Sequence, residues 1–355
     1  MITTLSIVIV SNKDNSILDF VKGEYFGMLL IILLGMFAMV SANNLLMVYL
    51  AIEMVSIPSY IIAGISKNDR ESNEASLKYV IYGSFASGIM LFGLSLLYGV
   101  AGSTDIGILA SKVASFESSF IIYLSMIFVI VGFGYKISMV PFHYWTPDVY
   151  QGAPIPVTAF LSVAPKAAGF AILIRFFYTV FVDNGSTVVD WATFVAIFSA
   201  LTMTVGNILA LKQNNIKRLL AYSSISHVGF MLIAFSILSV ESVASILFYL
   251  IFYMFMNLSA FYMAIYMSTS YNADNIDDWN GIGKKAPVLS FFMVLSLASL
   301  AGLPPTSGFI GKVYVLRNLF SDGQFLWLGL VAIINTVISL YYYFKIVKAM
   351  YFMEN

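Results

Sequence analysis

The chain has no cysteine, only two histidines and little charge, with Asp, Glu, Lys and Arg making up 10% of its 355 residues. Without thiols there is no disulfide, no thiolate zinc site and no cysteine-held iron–sulfur cluster. Two histidines are too few for a buried multi-haem arrangement. Low-complexity stretches and long polar linkers are missing as well, and the hydrophilic connections are all short, so no soluble active-site domain can be housed. Redox chemistry is not expected here, and no cofactor or metal is expected to be held by this chain. What is present is 60% hydrophobic and 16% aromatic residue, with a mean hydropathy of +0.90. That composition describes an all-α polytopic membrane protein.

A transmembrane helix needs about 20 apolar residues. Apolar runs bounded by charge, Gly/Pro or Asn/Asp clusters predict ten spans, near 25–42, 44–64, 75–100, 119–141, 154–181, 190–211, 217–240, 242–270, 287–319 and 325–350. The opening ITTLSIVIV is about half a span, so residues 1–24 are read as a partial helix and a loop. Residues 104–116 read as a short interfacial helix. Counting alternate connections, Lys13, Lys22, Lys67, Arg70, Lys212, Lys217, Arg218, Lys284, Lys285, Lys345 and Lys348 fall on one side, and Lys112, Arg175 and Arg317 on the other. Positive charge is retained on the cytoplasmic side of short loops, which predicts that both ends of the chain are cytoplasmic.

Two spans are interrupted. The fourth runs through Gly132, Gly134 and Lys136 to Pro141; the ninth carries Gly302, Pro304 and Pro305 just before Lys312. Proline removes a backbone donor and clashes with the preceding turn, and unwound backbone at membrane depth is tolerated only beside protein or a hydrated cavity. Each break falls fourth in a set of five, the pattern of a duplicated bundle with units at 25–181 and 190–350. Because five is odd, the second unit is inverted relative to the first.

Four ionisable residues lie deep in apolar sequence: Glu53, Lys136, Lys166 and Lys312. Each costs roughly 2.5–3.5 kcal/mol to place at a bilayer centre, so such residues are functional-site candidates by default. Lysine can release and regain a proton where arginine stays charged. These four are therefore read as a proton or ion path, against the alternatives of headgroup snorkelling for the lysines and a structural counter-ion role for Glu53. Lys78, a turn inside its span, reads first as a snorkelling lysine. His143 and His227 read first as neutral, hydrogen-bonded core histidines and second as proton relays. Lys217 belongs to the basic belt or to a proton entry. Asp148 is expected to cap a loop. The 22 tyrosines and 30 phenylalanines are expected mostly to pack or face lipid.

The stretch GYKISMVPFHYWTPDVYQGAPIPVTAFLSVAPKAAGF (134–170), followed by NNIKRLLAYSSISHVGF (214–230) and GLPPTSGFIGKVYVL (302–316), resembles the antiporter-like membrane subunits of respiratory complex I, and TPDVYQGAP resembles subunit N of the bacterial enzyme. The resemblance implies a proton-translocating subunit of an NADH:quinone oxidoreductase without a redox centre of its own. NADH, FMN, iron–sulfur clusters and quinone are then handled elsewhere in the complex. It also implies a central axis on Glu53, Lys136, Lys166 and Lys312. The physics of buried ionisable groups then assigns Glu53 as modulator, Lys136 as the pumped-proton site, Lys166 as relay and Lys312 as exit-side donor, an order and direction that are hypotheses. The partners implied are other membrane subunits of the complex, including neighbouring antiporter-like ones, and the lipid of a bacterial plasma membrane, with no nucleic acid. Family members carry further helices at both ends, so the sequence is expected to be truncated relative to them. A subunit of a multisubunit cation/proton antiporter or of a membrane-bound hydrogenase, built on the same fold, stays open, as does a structural membrane subunit that transports nothing.

Overall fold

A computed structural model describes all residues except 13–16, 18–20, 117–118, 184 and 354–355; Lys13 of the basic belt lies outside the described residues. Fifteen α-helices follow in order: α1 (Ile2–Ser11), α2 (Lys22–Ser41), α3 (Leu45–Ala63), α4 (Arg70–Ala101), α5 (Ile106–Ser115), α6 (Ser119–Ile137), α7 (Trp145–Gly152), α8 (Ile155–Val180), α9 (Trp191–Leu211), α10 (Ile216–Phe235), α11 (Val240–Tyr271), α12 (Ile282–Lys285), α13 (Pro287–Ala301), α14 (Ser307–Asp322) and α15 (Leu326–Phe352). Among the described residues, nine of these helices are long and apolar enough to cross a membrane. The tenth crossing is the interrupted pair α13 and α14. The exterior carries large apolar side chains such as Leu34, Phe37, Leu330 and Val337, as lipid-facing helices require.

The polar residues that bound the apolar runs are helix caps. Asn44 accepts the Leu46 N–H, Asp69 that of Glu71, Asp190 that of Thr193, Asn215 that of Arg218 and Ser239 that of Ser242. Each satisfies an N–H that the first helical turn leaves free, which is why the spans start where they do.

The duplication is visible in the backbone. Asn44, which caps α3, forms an isolated antiparallel bridge with Asp105, and Asn215, which caps α10, forms the same bridge with Asn275. In both cases the bridge ties the start of a unit's second helix to the segment after its third. Lengths agree as well: α4 and α11 each have 32 residues, and α8 and α15 have 26 and 27. Because each unit crosses an odd number of times, the two bridges lie at opposite faces, while α2 starts and α15 ends at the same face.

Both breaks fall at the prolines. The ninth span opens at the expected place: α13 stops at Ala301, Gly302 takes a left-handed conformation (φ 82°), and α14 starts at Ser307. The fourth span also opens where expected, around Pro141, between Ile137 and Trp145. Helix α6 continues through Gly132, Gly134 and Lys136 and ends at Ile137, with Ser138 left-handed (φ 66°). Those glycines serve packing instead: a Cβ on Gly132 would meet Met90, and one on Gly134 would meet Met139 and Phe142.

Helix α10 is the most enclosed crossing. It packs against α9, α7, α11 and α14 and so touches both units. A Cβ at Gly206 of α9 would lie 2.8 Å from the Ser226 nitrogen, so the two helix backbones approach as only small residues allow.

Candidate functional site

The three deep lysines are buried, with 3%, 1% and 5% of Lys136, Lys166 and Lys312 exposed. Snorkelling to a headgroup is thereby ruled out for each. Among the described residues none of them has a carboxylate partner. The Lys136 ammonium donates to Ser56 Oγ (3.0 Å), Lys166 to Ser224 Oγ (2.7 Å) and Lys312 to the Ala301 carbonyl (2.9 Å). Lys166 also lies 5.5 Å from the centre of the Tyr150 ring and Lys312 4.9 Å from that of Phe230. Dipoles and ring faces thus stand where counter-ions would be expected.

Glu53 is half-buried on α3 and accepts a hydrogen bond from Ser87 of α4. It does not pair directly with Lys136. Ser56, which holds that lysine, is three positions along the same helix, so the carboxylate and the lysine anchor share one face a turn apart.

The second unit repeats this anchor geometry with different chemistry. Ser224 stands 171 positions after Glu53, and His227 171 positions after Ser56. Where α3 offers a carboxylate, α10 offers the hydroxyl that takes Lys166. Where α3 offers a hydroxyl to Lys136, α10 offers an imidazole. His227 is 3% exposed, and it shares hydrogen bonds with the Tyr249 hydroxyl through Nδ1 (2.7 Å) and the Tyr343 hydroxyl through Nε2 (3.3 Å). Tyr343 in turn bonds Ser223. Asn257 of α11 donates to Ser162 Oγ (2.7 Å), one turn before Lys166 on α8. The half-buried Glu53 and the buried Lys136, Lys166, His227 and Lys312 thus each sit among polar side chains or carbonyls of the helices around them. The buried hydroxyl of Tyr60 lies near Ser56 and those of Tyr150 and Tyr253 near Ser224, while the buried Asn257 Oδ1 has no protein hydrogen-bond partner among the described residues.

Lys312 shows how the break creates a site. The C-terminal end of a helix carries partial negative charge on its free carbonyls, which favours a cation. Helix α13 ends at Ala301, α14 starts after the break, and its Lys312 reaches back to that last carbonyl. The turn needs Gly302, because a Cβ there would stand 2.9 Å from Lys312 Cδ.

The remaining candidates separate from this axis. Lys78 pairs with Glu74 (2.7 Å) and Asp148 (2.7 Å), and Asp148 also takes Arg218 (2.6 Å). The cluster lines a cavity of about 200 Å³ where α4, α7 and α10 meet. Asp148 is thus not a loop cap: it joins a basic residue of the first unit to one of the second. Burial works to raise its pKa, but the hydrogen bonds and charges of Lys78 and Arg218 outweigh that and hold the carboxyl below the usual carboxylate range. Lys217, half-buried beside Arg218, lies near Asp274, Glu71 and Asp69 without a direct ion pair to any of them. His143 is buried in the break after α6, its ring against Tyr144, and no hydrogen bond among the described residues joins it to the lysines.

Sequence reasoning missed Ser56, Ser87, Ser224, Tyr249, Asn257 and Tyr343. The serines and Asn257 carry a weak signal, as polar residues inside apolar runs. The tyrosines carry none, because nothing in their spacing separates them from the lipid-facing and packing aromatics.

A duplicated, membrane-spanning helical bundle with a broken helix in each unit defines the class of polytopic membrane proteins built from inverted repeats. Residues 42–339 match the family described as NADH:quinone oxidoreductase/Mrp antiporter, TM, and the chain belongs to that family. It is 46% identical over 339 residues to the NADH-quinone oxidoreductase subunit N 2 of Chloroherpeton thalassium, covering 94% of this chain and 66% of that one. A chain of the respiratory complex I of Thermus thermophilus superposes with a TM-score of 0.78 at 31% identity, covering 94% of this chain and 71% of the other. A chain of the membrane-bound sulfane sulfur reductase, an archaeal respiratory membrane complex, superposes with a TM-score of 0.90 at 24% identity over 99% of this chain and 71% of its own, a likeness of fold. The chain spans about two thirds of the length of the curated relatives it matches.

Proposed function

We propose that this chain is the proton-carrying membrane subunit of an NADH:quinone oxidoreductase, of the subunit N type, seated beside other membrane subunits of the complex in a bacterial plasma membrane, with both ends of the present chain on the cytoplasmic side. The observation that carries the reading is the burial of Lys136, Lys166 and Lys312, each against a neutral oxygen. A buried ammonium held only by dipoles responds strongly to any charge that moves nearby, because Coulomb interactions are large where water is excluded. Glu53 is placed to act on Lys136 in this way. A change in its charge, or in its distance from Ser56, alters how firmly Lys136 holds its proton. Lys166 then serves as the relay between units, and Lys312 as the donor toward the far face. Electron transfer from NADH to quinone takes place on other subunits. The 46% identity to a subunit N supports this reading over a cation/proton antiporter built on the same fold.

The test is NADH-driven proton uptake in membrane vesicles, comparing the parent complex with Lys136→Ala at equal complex content. Loss of pumping supports the reading. Full pumping in the variant would overturn it in favour of a structural subunit, and a parent signal that follows Na⁺ instead of pH would favour the antiporter.

A further inference from the structure

Helix α11 carries a polar face that α4 lacks. Along α11, Ser239, Ser242, Ser245, Tyr249, Tyr253 and Asn257 follow at steps of three and four, which places them on one side of the helix. The positions 170 earlier on α4 are Asp69, Ser72, Ala75, Tyr79, Gly83 and Ser87. In the first unit the face is therefore interrupted at Ala75 and Gly83, and its Tyr79 is stacked on Trp145 at 4.4 Å. In the second unit every position has a hydrogen-bonding group. Ser242 and Ser245 are fully buried. Ser239 Oγ donates to Ser242 Oγ (2.8 Å), and Ser245 Oγ donates to the Ser242 carbonyl (2.8 Å). Helical side chains lean toward the N-terminus, so the Tyr249 ring lies over the turn of Ser245. The Tyr249 hydroxyl already holds His227. Tyr253, 1% exposed, has its ring 5.3 Å from that of His227 and its hydroxyl near Ser224.

The outer end of this face opens into a cavity of about 360 Å³, lined by Ser239 and Glu241 of α11 and by Arg317, Asn318 and Asp322 of α14. Asn318 bridges the two helices by donating to the Glu241 carbonyl (3.0 Å). Counting crossings, this cavity lies at the face opposite to the Asp148 cluster, and it occupies the corresponding place in the inverted unit: the start of the third helix against the helix that follows the break. The two charged vestibules are thus related by the duplication, one at each face.

We infer that the serine face of α11 is the route by which protons pass between His227 and the far-side vestibule, with Ser242 and Ser245 as carriers and Glu241 as the charge at its mouth. This rests on the proton-carrying reading above. A hydroxyl that both accepts and donates can hand a proton on without a net change in itself, which alanine cannot do. In the first unit the same route is closed by Ala75 and its mouth is tied by Asp148, so the two ends of the path are not equivalent.

The experiment compares Ser245→Ala, Ser245→Thr, Ser242→Ala and Lys312→Met in the whole complex in membrane vesicles, reading the initial rate of NADH-driven proton movement at equal complex content. Ser245→Ala removes only the hydroxyl, while Ser245→Thr keeps it and adds a methyl. The expected result is a loss of at least about tenfold in the transfer step for Ser245→Ala, as removal of a positioned proton-transfer group gives, with recovery in Ser245→Thr and the same loss in Ser242→Ala. A structural role would rank the variants the other way, since threonine disturbs packing more than alanine. Parent-level pumping in both alanine variants while Lys312→Met is inactive overturns the route alone. Parent-level pumping in Lys312→Met as well overturns the proton-carrying reading beneath it. Should Ser245→Ala fail to assemble, Ser242→Ala decides by the same criterion.

Discussion

Replacing Lys312 by methionine separates what the lysine does for the fold from what it does for transport. The side chain is 5% exposed, and its ammonium donates to the last carbonyl of α13 at 2.9 Å. Losing a charged hydrogen bond of this kind costs about 1.5–3 kcal/mol. Taking the charge out of the membrane interior returns roughly 2.5–3.5 kcal/mol on insertion scales. The terms oppose each other and are of one size, so the variant is expected to assemble within about 1 kcal/mol of the parent. Methionine keeps the unbranched stem beside Phe230 and Gly302, so packing at the break changes little. Transport is expected to collapse, because a thioether holds no proton. The assay is complex content and thermal stability in native membranes beside NADH-driven acidification of the vesicle lumen. Undiminished acidification in a fully assembled variant would refute the assignment of Lys312 to the path. A variant that cannot assemble would refute the energy balance, and would show that the lysine is needed to close the break.

Glu53→Gln keeps the bond from Ser87 but removes the charge a turn from the Lys136 anchor; pumping is expected to fall about tenfold or more with assembly unchanged, whereas Ser87→Ala, which leaves the charge, lowers it less. Both are read by vesicle acidification. Gly302→Ala places a Cβ at φ 82° and 2.9 Å from Lys312 Cδ; it is expected to cost about 1–2 kcal/mol in backbone strain and to slow transport by displacing the ammonium, seen as a lower melting temperature together with slower pumping. Asp148→Asn unties Lys78 and Arg218 and is expected to lower stability by about 1 kcal/mol. Because the folded-state pKa of Asp148 is depressed, its contribution is complete above the ordinary carboxylate pKa and is lost as pH falls through the lower, folded value. Melting curves of the parent should therefore lose stability in that acid window, and those of Asp148→Asn should lose less there.

How far the sequence could be read depended on what each residue's environment costs. A lysine in a 20-residue apolar run is expensive wherever it points, so Lys136, Lys166 and Lys312 stood out without a structure. The proline-marked break before Lys312 was equally plain, since no helix continues through Gly302, Pro304 and Pro305. Glycines alone were a poor guide. Gly132 and Gly134 are there because Met90 and Phe142 come close, and only the fold shows that. Asp148 was misread because its partners, Lys78 and Arg218, are each 70 positions away and belong to different units. The partners of His227, Tyr249 and Tyr343, come from α11 and α15 and could not be chosen from its own helix. Partner choice at a buried site is set by tertiary approach, which sequence spacing reveals only within one helix. The duplication is what extends that reach. Once α3 is aligned with α10 and α4 with α11, the Glu53 and Ser224 positions and the Ala75 and Ser245 positions become comparable, and the differences between the two units, more than their likeness, are what the proposed path draws on.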